Sequence, residues 1–434
     1  MFEIPIQSLA YGGDSVGRLA DGRTAFVEGG CPGDLAAIEI TEDRGRFVRA
    51  RLVEVIEPSP DRVTAPCPYF GVCGGCTWQH VSYAAQISAK RQAVVDALAR
   101  IGSVADAETL VAQTAASRSE YGYRNKIELV PDPASTRPLL GYHRASSSEV
   151  VPVDECLLLP KKLRKAPRAL GGALRYIAGE SDLGLIRVGV RAASHTKDVE
   201  VALWTAPGPL PRAVAARTLG QALPVSSVVR VLSKDPAKRR SAASVEVLSG
   251  RGHWRERLGG VQFAVSAPSF FQVNTAMAER LVETALAALV PDGSDRVLDL
   301  YAGVGTFTVP LAQAAGDVVA VEAAGSAVRD LRRNLQINEV WAEVVGGDAA
   351  REIADLGHFD IAVVDPPRTG LPQEVISALS EARPRTLAYV SCDPTTLARD
   401  AKLLSDAGLR LISATPVDLF PQTYHVETVA IFET

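Results

Sequence analysis

The chain has 434 residues, 47% hydrophobic and 22% charged, with mean hydropathy +0.08, a composition that fits about three folded domains and excludes a disordered, collagenous or fibrous protein. No apolar run approaches the roughly 18 residues of a spanning helix, so no membrane segment is expected. The net charge of −4 conceals a gradient: residues 1–60 carry −4, residues 61–270 carry +11 and residues 271–434 carry −11. At the N-terminus, MFEIPIQSLAYGGD has an acid at Glu3 and no basic stretch before an apolar core. No signal peptide is expected there, and the expected location is cytoplasmic. Up to residue 57, short alternations such as FEIPIQ, TAFVEG, LAAIEI and FVRARLVEVIE are cut by Gly-rich turns and ended by Pro58 and Pro60. Period two with that punctuation predicts a small β-barrel over 1–58, which, being acidic, is expected only to brace a nucleic acid. From Ser82 to Gly102 the spacing of Ile87, Val94, Val95, Leu98 and Ile101 predicts a helix with one apolar side and a glycine stop. The β-branched runs LIRVGVR, DVEVALW and SSVVRVLS predict a mixed α/β middle domain, placed at 59–270. That domain carries the positive charge, in Lys161, Lys162, Arg164, Lys165 and Arg168, then Lys238, Arg239 and Arg240, then Arg251, Arg255 and Arg257. Clusters of this kind suit a phosphate-tracking surface, or else are solvated loops. Over 271–434 the strand runs RVLDLYAG, DVVAVEAAG, AEVVGGDA, FDIAVVDPP and RTLAYVSCDP alternate with helical stretches. Alternation predicts a doubly wound parallel sheet, covered on both faces, with ligands at the carboxyl ends of its strands.

Cysteine spacing is the first chemical signal. Cys67, Cys73 and Cys76 form Cys-x5-Cys-x2-Cys in CPYFGVCGGC, and Cys156 is the other cysteine of the middle domain. Six cysteines make a thin disulfide framework, whereas four thiolates on tight Gly-rich backbone can bind an iron–sulfur cluster or zinc. Spacing leaves those two metals open; Cys31, in the turn GGCPGD, reads as structural. In VLDLYAGVGTF, Gly303 and Gly305 follow the first strand of the C-terminal domain, where bare backbone can approach a cofactor. Glu322, nineteen residues after Gly303, closes the second strand, where a carboxylate can accept from ribose hydroxyls. With Asp299 in the strand end, the AGxG spacing differs from GxGxxG and resembles the first motif of class I methyltransferases, which bind S-adenosylmethionine. Asp348, after the third strand, is then expected to face the adenine. Asp365-Pro366-Pro367-Arg368 ends the fourth strand, and Arg368 in place of a stacking aromatic disfavours an exocyclic amine as target. Cys392 ends the fifth, where a thiolate can add to carbon 6 of a pyrimidine and make carbon 5 nucleophilic enough to take a methyl group. Glu427, two residues after His425, suits abstraction of the carbon 5 proton that such an adduct retains.

Over nearly the whole chain these segments resemble the uracil-5 RNA methyltransferases of the RumA/RlmD type. In order, the resemblance rests on the N-terminal barrel, CPYFGVCGGC with Cys156, YRNK at Tyr123–Lys126, FFQVN at Phe270–Asn274, DLYAGVGTF, DPPR, SCDPTTLARD and FPQTYHVE. It implies a TRAM-like barrel, a middle domain that grips RNA, and a class I methyltransferase domain over 271–434. It further implies that Cys67, Cys73, Cys76 and Cys156 ligate a 4Fe–4S cluster, which would fix a loop and set Tyr123, Arg124 and Lys126 near the RNA. Gln272, Tyr301, Thr306, Glu322, Asp348 and Asp365 are implied to surround S-adenosylmethionine, with Cys392 as nucleophile and Glu427 as base. Asp393 and Thr306 stand where the family commonly has Asn. The implied product is 5-methyluridine, in ribosomal RNA first and a transfer RNA T-loop second, with no membrane and no obligatory protein partner. A non-catalytic iron–sulfur RNA-binding or sensor protein is the alternative from another class.

Overall fold

In the computed structural model every residue is described except 134, 136–138, 234 and 236–241, with the backbone alone at 242 and 243; the basic run Lys238, Arg239 and Arg240 lies outside the described residues. Five strands, β1 (Phe2–Leu9), β2 (Ser15–Arg18), β3 (Thr24–Glu28), β4 (Leu35–Asp43) and β5 (Phe47–Glu57), close into a barrel in the order β1-β2-β3-β5-β4. Alternation turns Ile4, Ile6, Val27, Ile38 and Val48 inward, as a period-two pattern requires. Helix α1 (Tyr83–Arg100) starts at Ser82, whose hydroxyl accepts from the Ala85 amide, and is followed by the single turn α2 (Ala107–Leu110). The inner face of α1 departs from the apolar stripe expected: Ile101 is 44% exposed, while Gln86 and Lys90 are fully buried. The cause is the C-terminal loop 418–426 against which α1 lies. Gln86 donates to the Gln422 side chain, and the Lys90 ammonium meets Asp418 at 2.5 Å, so polar groups are buried because each has a partner.

The middle of the chain forms a seven-stranded sheet in the order β12-β11-β10-β9-β6-β7-β8. Its strands are β6 (Lys126–Pro131), β7 (Leu140–His143), β8 (Val150–Pro152), β9 (Leu185–Ala192), β10 (Val199–Thr205), β11 (Ser227–Ser233) and β12 (Ala242–Gly250). Helices α3 (Ala166–Ala178) and α4 (Arg212–Ala222) cover one face, where Leu170, Leu174 and Leu219 pack on Val188, Val201 and Leu203. Ala202 and Trp204, on the other face of β10, pack against Ala267. A hairpin, β13 (Trp254–Leu258) and β14 (Val261–Val265), leads to residues 266–274, a strap that joins the two halves. Its carbonyls at Ser266 and Ser269 accept from Arg191 of β9, and Asp330 accepts from the Ser266 amide and the Ser269 hydroxyl.

After the strap come α5 (Thr275–Leu289), β15 (Arg296–Leu300), α6 (Thr308–Ala314), β16 (Asp317–Glu322), α7 (Gly325–Ile337), β17 (Glu343–Gly346) and the short α8 (Ala349–Glu352). Then follow β18 (Ile361–Val364), α9 (Gln373–Ala382), β19 (Thr386–Ser391), α10 (Pro394–Asp406), β20 (Arg410–Val417) and β21 (Glu427–Glu433). The sheet runs β17-β16-β15-β18-β19-β21-β20. It is buried on both faces, by α5, α6 and α7 on one side and by α1, α9 and α10 on the other. The expectation of an all-parallel sheet is corrected at one strand: β21 is antiparallel to both neighbours, because the loop after β20 returns the chain beside it without a crossover helix. No helix is long and apolar enough to cross a membrane among the described residues.

Candidate active site

Strand register brings the two candidate catalytic residues together. Ser391 of β19 pairs with Thr428 of β21, so the next residue of one strand, Cys392, faces the preceding residue of the other, Glu427. Because β21 is antiparallel, its beginning lies at the sheet edge where β15, β18 and β19 end, beside Asp365. Burial pushes the Cys392 thiol up to about 11, helped by the neighbouring Glu427 and Asp365 carboxyls and opposed by Arg368, which also hydrogen-bonds to the sulfur. Glu427 is 5% exposed, and burial, reinforced by Asp365, holds its carboxyl well above the usual range. Burial also raises Asp365, to about 7. A guanidinium, a thiol and two proton-holding carboxyls thus share one crevice, in which the carboxyls are poised for proton transfer.

The turn after β15 is a backbone cradle. Tyr301, Gly303 and Gly305 adopt positive φ of 64°, 57° and 93°. At Gly305 a Cβ would stand 2.6 Å from Leu331, so this position needs glycine on two counts. Glu322, at the end of β16, accepts from the Gly303 amide at 2.8 Å and the Ala324 amide at 2.6 Å, which locks the turn to the second strand. Beneath it Asp299 is fully buried; one carboxylate oxygen accepts from Thr308 and the other has no partner among the described residues. Its carboxyl is raised to about 7 by burial, with Asp365 and Glu322 adding. Tyr301 lies in the electrostatic field of Asp348, which caps α8. Thr306 is half-buried within the turn. Gln272 is buried in the strap, its carbonyl held by the Asn125 amide at 2.9 Å. A carboxylate on the second strand, an orphaned buried oxygen and a glycine cradle fit a nucleoside bearing a cationic group, and S-adenosylmethionine has that chemistry.

Further side chains gather at the turn that carries Cys392. Arg368 donates to Nδ1 of His425 at 3.4 Å, and burial with this cation lowers His425 to about 4, so it is neutral at pH 7. Tyr11, from the turn between β1 and β2, donates to the Cys392 carbonyl at 3.4 Å and stacks edge-on against Tyr424 at 5.4 Å. The barrel therefore forms a wall of the crevice. Only the tertiary fold reveals this, since 381 residues separate Tyr11 from Cys392. Asp393 is the N-cap of α10, accepting from the Thr395 and Thr396 amides, so its negative charge is spent on the helix start.

Cys67, Cys73, Cys76 and Cys156 line a single cavity of about 330 Å³. Burial raises the first three thiols, Cys76 to about 12, and Cys156 adds to each shift. Among the described residues no three His, Cys, Asp or Glu side chains converge on one metal-ion position, so the thiols ring a space and do not share a point. The buried Tyr142 hydroxyl has no oxygen or nitrogen partner there and lies against Cys156, a donor that a sulfur acceptor would satisfy. Fully buried Cys31 packs with Trp78 and Val81. The Tyr123 hydroxyl donates to the Pro421 carbonyl, and Lys126 pairs with Glu128 at 3.0 Å. In the third basic cluster, Arg251 and Arg255 are committed to Asp198 at 2.7 and 3.2 Å.

Comparison with known proteins matches residues 351–434 to the family described as tRNA (Uracil-5-)-methyltransferase, residues 1–53 to the TRAM domain, and residues 257–381 to the TRM5/TYW2 methyltransferase domain. An uncharacterized RNA methyltransferase of Thermosynechococcus vestitus is 36% identical over 100% of this chain and 98% of its own. The 23S rRNA (uracil(1939)-C(5))-methyltransferase RlmD of Pseudomonas putida is 33% identical over 99% of this chain and 93% of its own. Among solved structures, the Pyrococcus abyssi tRNA (uracil-54, C5)-methyltransferase in complex with S-adenosyl-L-homocysteine superposes with TM-score 0.77 at 28% identity, covering 99% of this chain and 100% of that one.

Proposed function

Since this chain belongs to the uracil-5 RNA methyltransferases, we propose that it methylates carbon 5 of a flipped-out uridine in 23S ribosomal RNA through a covalent adduct on Cys392. The register that sets Cys392 opposite Glu427 carries the reading. Arg368 favours the thiolate, which adds to carbon 6 of the uracil; the electron pair displaced onto carbon 5 and the ring carbonyl then takes the methyl group. S-adenosylmethionine, when held by Gln272, Tyr301, Thr306, Glu322, Asp348 and Asp365, supplies that methyl. Glu427 removes the proton from carbon 5, the ring double bond re-forms, and the sulfur leaves as thiolate. The Cys392 thiol gives its proton to solvent as the thiolate forms, and Glu427, held neutral by burial and so not opposing that thiolate, releases its own proton to solvent before it accepts the one from carbon 5. Extrusion of the base from its stack is what brings carbon 6 to a sulfur lying in a crevice.

Two whole-chain likenesses point to different RNAs. Identity of 33% to the 23S rRNA enzyme favours ribosomal RNA; the fold match to the tRNA enzyme supports a T-loop uridine as second reading. The cysteine ring fits a 4Fe–4S cluster held by Cys67, Cys73, Cys76 and Cys156, whose place is structural, because thiolate-catalysed methylation requires no electron transfer. Cys392→Ala is expected to abolish methyl transfer while leaving donor binding unchanged, and Glu427→Gln to accumulate an RNA–protein adduct that survives denaturing gels. Normal turnover by the first variant, or full activity without adduct in the second, overturns the mechanism. Mapping 5-methyluridine in 23S rRNA and tRNA from cells lacking the gene decides between the substrates.

A further inference from the structure

The middle domain's charge is not spread evenly over its faces. Arg144, Arg187, Arg212, Arg230, Arg251 and Arg255 each sit 2.7–3.7 Å from a carboxylate, so these cations are internally balanced. The segment 156–179 holds six cations, Lys161, Lys162, Arg164, Lys165, Arg168 and Arg175, and no acid; the α4 segment 206–222 has no acid either. Among the described residues, Lys161, Lys162, Lys165, Arg168 and Arg175 make no ion pair, and all five are exposed. Lys165, Arg168 and Arg175 fall at helical spacing along α3, over about 15 Å at 1.5 Å per residue. They border a shallow groove of about 620 Å³ between α3 and α4, floored by Ala169 and Gly172 and flanked by Tyr176, which is 69% exposed. Packing does not call for glycine at 172: a Cβ there would meet only the Arg175 guanidinium, at 3.9 Å. Arg168 and Arg175 also line a second concavity of about 310 Å³ on the other flank of the helix. The base of the ridge is fixed, since the Cys156 amide donates to the Arg164 carbonyl and the Arg168 amide to the Asp154 carbonyl.

We propose that the α3 ridge and the α3–α4 groove form a docking surface for the phosphate backbone of RNA flanking the methylated loop, on the face of the middle sheet turned away from the reaction crevice. Placement follows from β10: Val201 and Leu203 point to α3 and α4, whereas Ala202 and Trp204 point to the strap that leads into the methyltransferase sheet. An RNA held at both places passes around the middle sheet, so the surface serves long substrates and leaves short ones untouched. A row of unpaired cations beside an exposed aromatic suits a phosphate backbone with an unstacked base. The inference rests on the RNA methyltransferase reading and adds where the substrate extends.

The test uses the full-length protein, an in vitro transcript of whole 23S rRNA, and the shortest fragment of that transcript the wild type still methylates. Lys165→Glu/Arg168→Glu/Arg175→Glu is expected to raise KM for the long transcript about tenfold and to flatten the log Kd against log salt slope by about two, with kcat and the KM of the short fragment changed less than about twofold. Arg168→Lys/Arg175→Lys, which keeps the charge, is expected to retain most of the long-transcript affinity, and circular dichroism checks that both variants melt like the wild type. Equal loss on both RNAs, or no loss on either, overturns the proposal. So does a variant that loses binding to phosphatidylglycerol vesicles while its RNA binding is intact. If the wild type methylates no fragment, the functional reading fails by itself, and the salt slope for binding the long transcript still tests the ridge.

Discussion

Glu427 shows how a single buried carboxyl makes stability depend on pH. Its folded-state pKa lies well above that of the unfolded chain, so the native protein keeps a proton that the unfolded chain has released. Between those two values native stability falls as pH rises, by up to about 1.4 kcal/mol per pH unit. Glu427→Gln carries no such proton. The variant is expected to match the wild type in denaturant melts near pH 4 and to exceed it progressively from pH 5 to 8. A constant difference across that range would mean that the carboxyl is ionised in the native protein. Tyr11 and Arg368 act at the same scale by holding the turn of Cys392 and biasing its sulfur, and Tyr11 has no local sequence signature.

Among the elements, α1 is the clearest case of tertiary context overriding pattern. Lys90 and Asp418 are both fully buried, and the ammonium also donates to the Phe420 carbonyl, so the ion pair seats the loop that delivers Glu427 to β21. Removing one partner strands a buried charge. Lys90→Met is expected to cost about 3–5 kcal/mol in chemical unfolding, and Lys90→Met/Asp418→Asn to recover at least half of it. Sequence patterning gave the barrel, the middle-sheet strands and the alternating strands of the methyltransferase sheet, because apolar periodicity and glycine turns encode local geometry. It identified the motif residues Cys392 and Glu427 but not their adjacency, which depends on the direction of β21 and the pairing of Ser391 with Thr428. It also missed the polar inner face of α1, since Gln86 and Lys90 are buried only by virtue of partners more than 300 residues away. Arg251 and Arg255 looked like a basic patch because their acid, Asp198, lies more than 50 residues upstream.

Across the whole molecule, the middle sheet and the methyltransferase sheet have separate hydrophobic cores, joined by the strap, and the barrel turn reaches the second of them through Tyr11. Cys156 belongs to the first of these, and its amide anchors the base of the α3 ridge. If Cys156 ligates the proposed cluster, Cys156→Ser is expected to lower thermal stability and weaken RNA binding while donor affinity, read by calorimetry, stays within about twofold, since loss of a ligand would free a segment that the metal helps to fold. An equal fall in donor affinity would show that the two cores do not act independently.

Burial raises the carboxyls of Asp299, Asp365 and Glu427, gathered at one end of the methyltransferase sheet, so the charge of a ligand held there would couple to their protonation. On the proposed reading, a sulfonium held there would favour the ionised carboxyls and expel a proton to solvent, and the neutral thioether left after transfer would let the proton return. Donor affinity is expected to climb between about pH 6 and 8 while affinity for the thioether stays level, and titration in two buffers of different ionisation enthalpy would count the protons exchanged. Fresh and spent donor differ by one methyl group and one unit of charge, and on that reading these acids would turn the difference into a change of protonation that loosens the hold on the product.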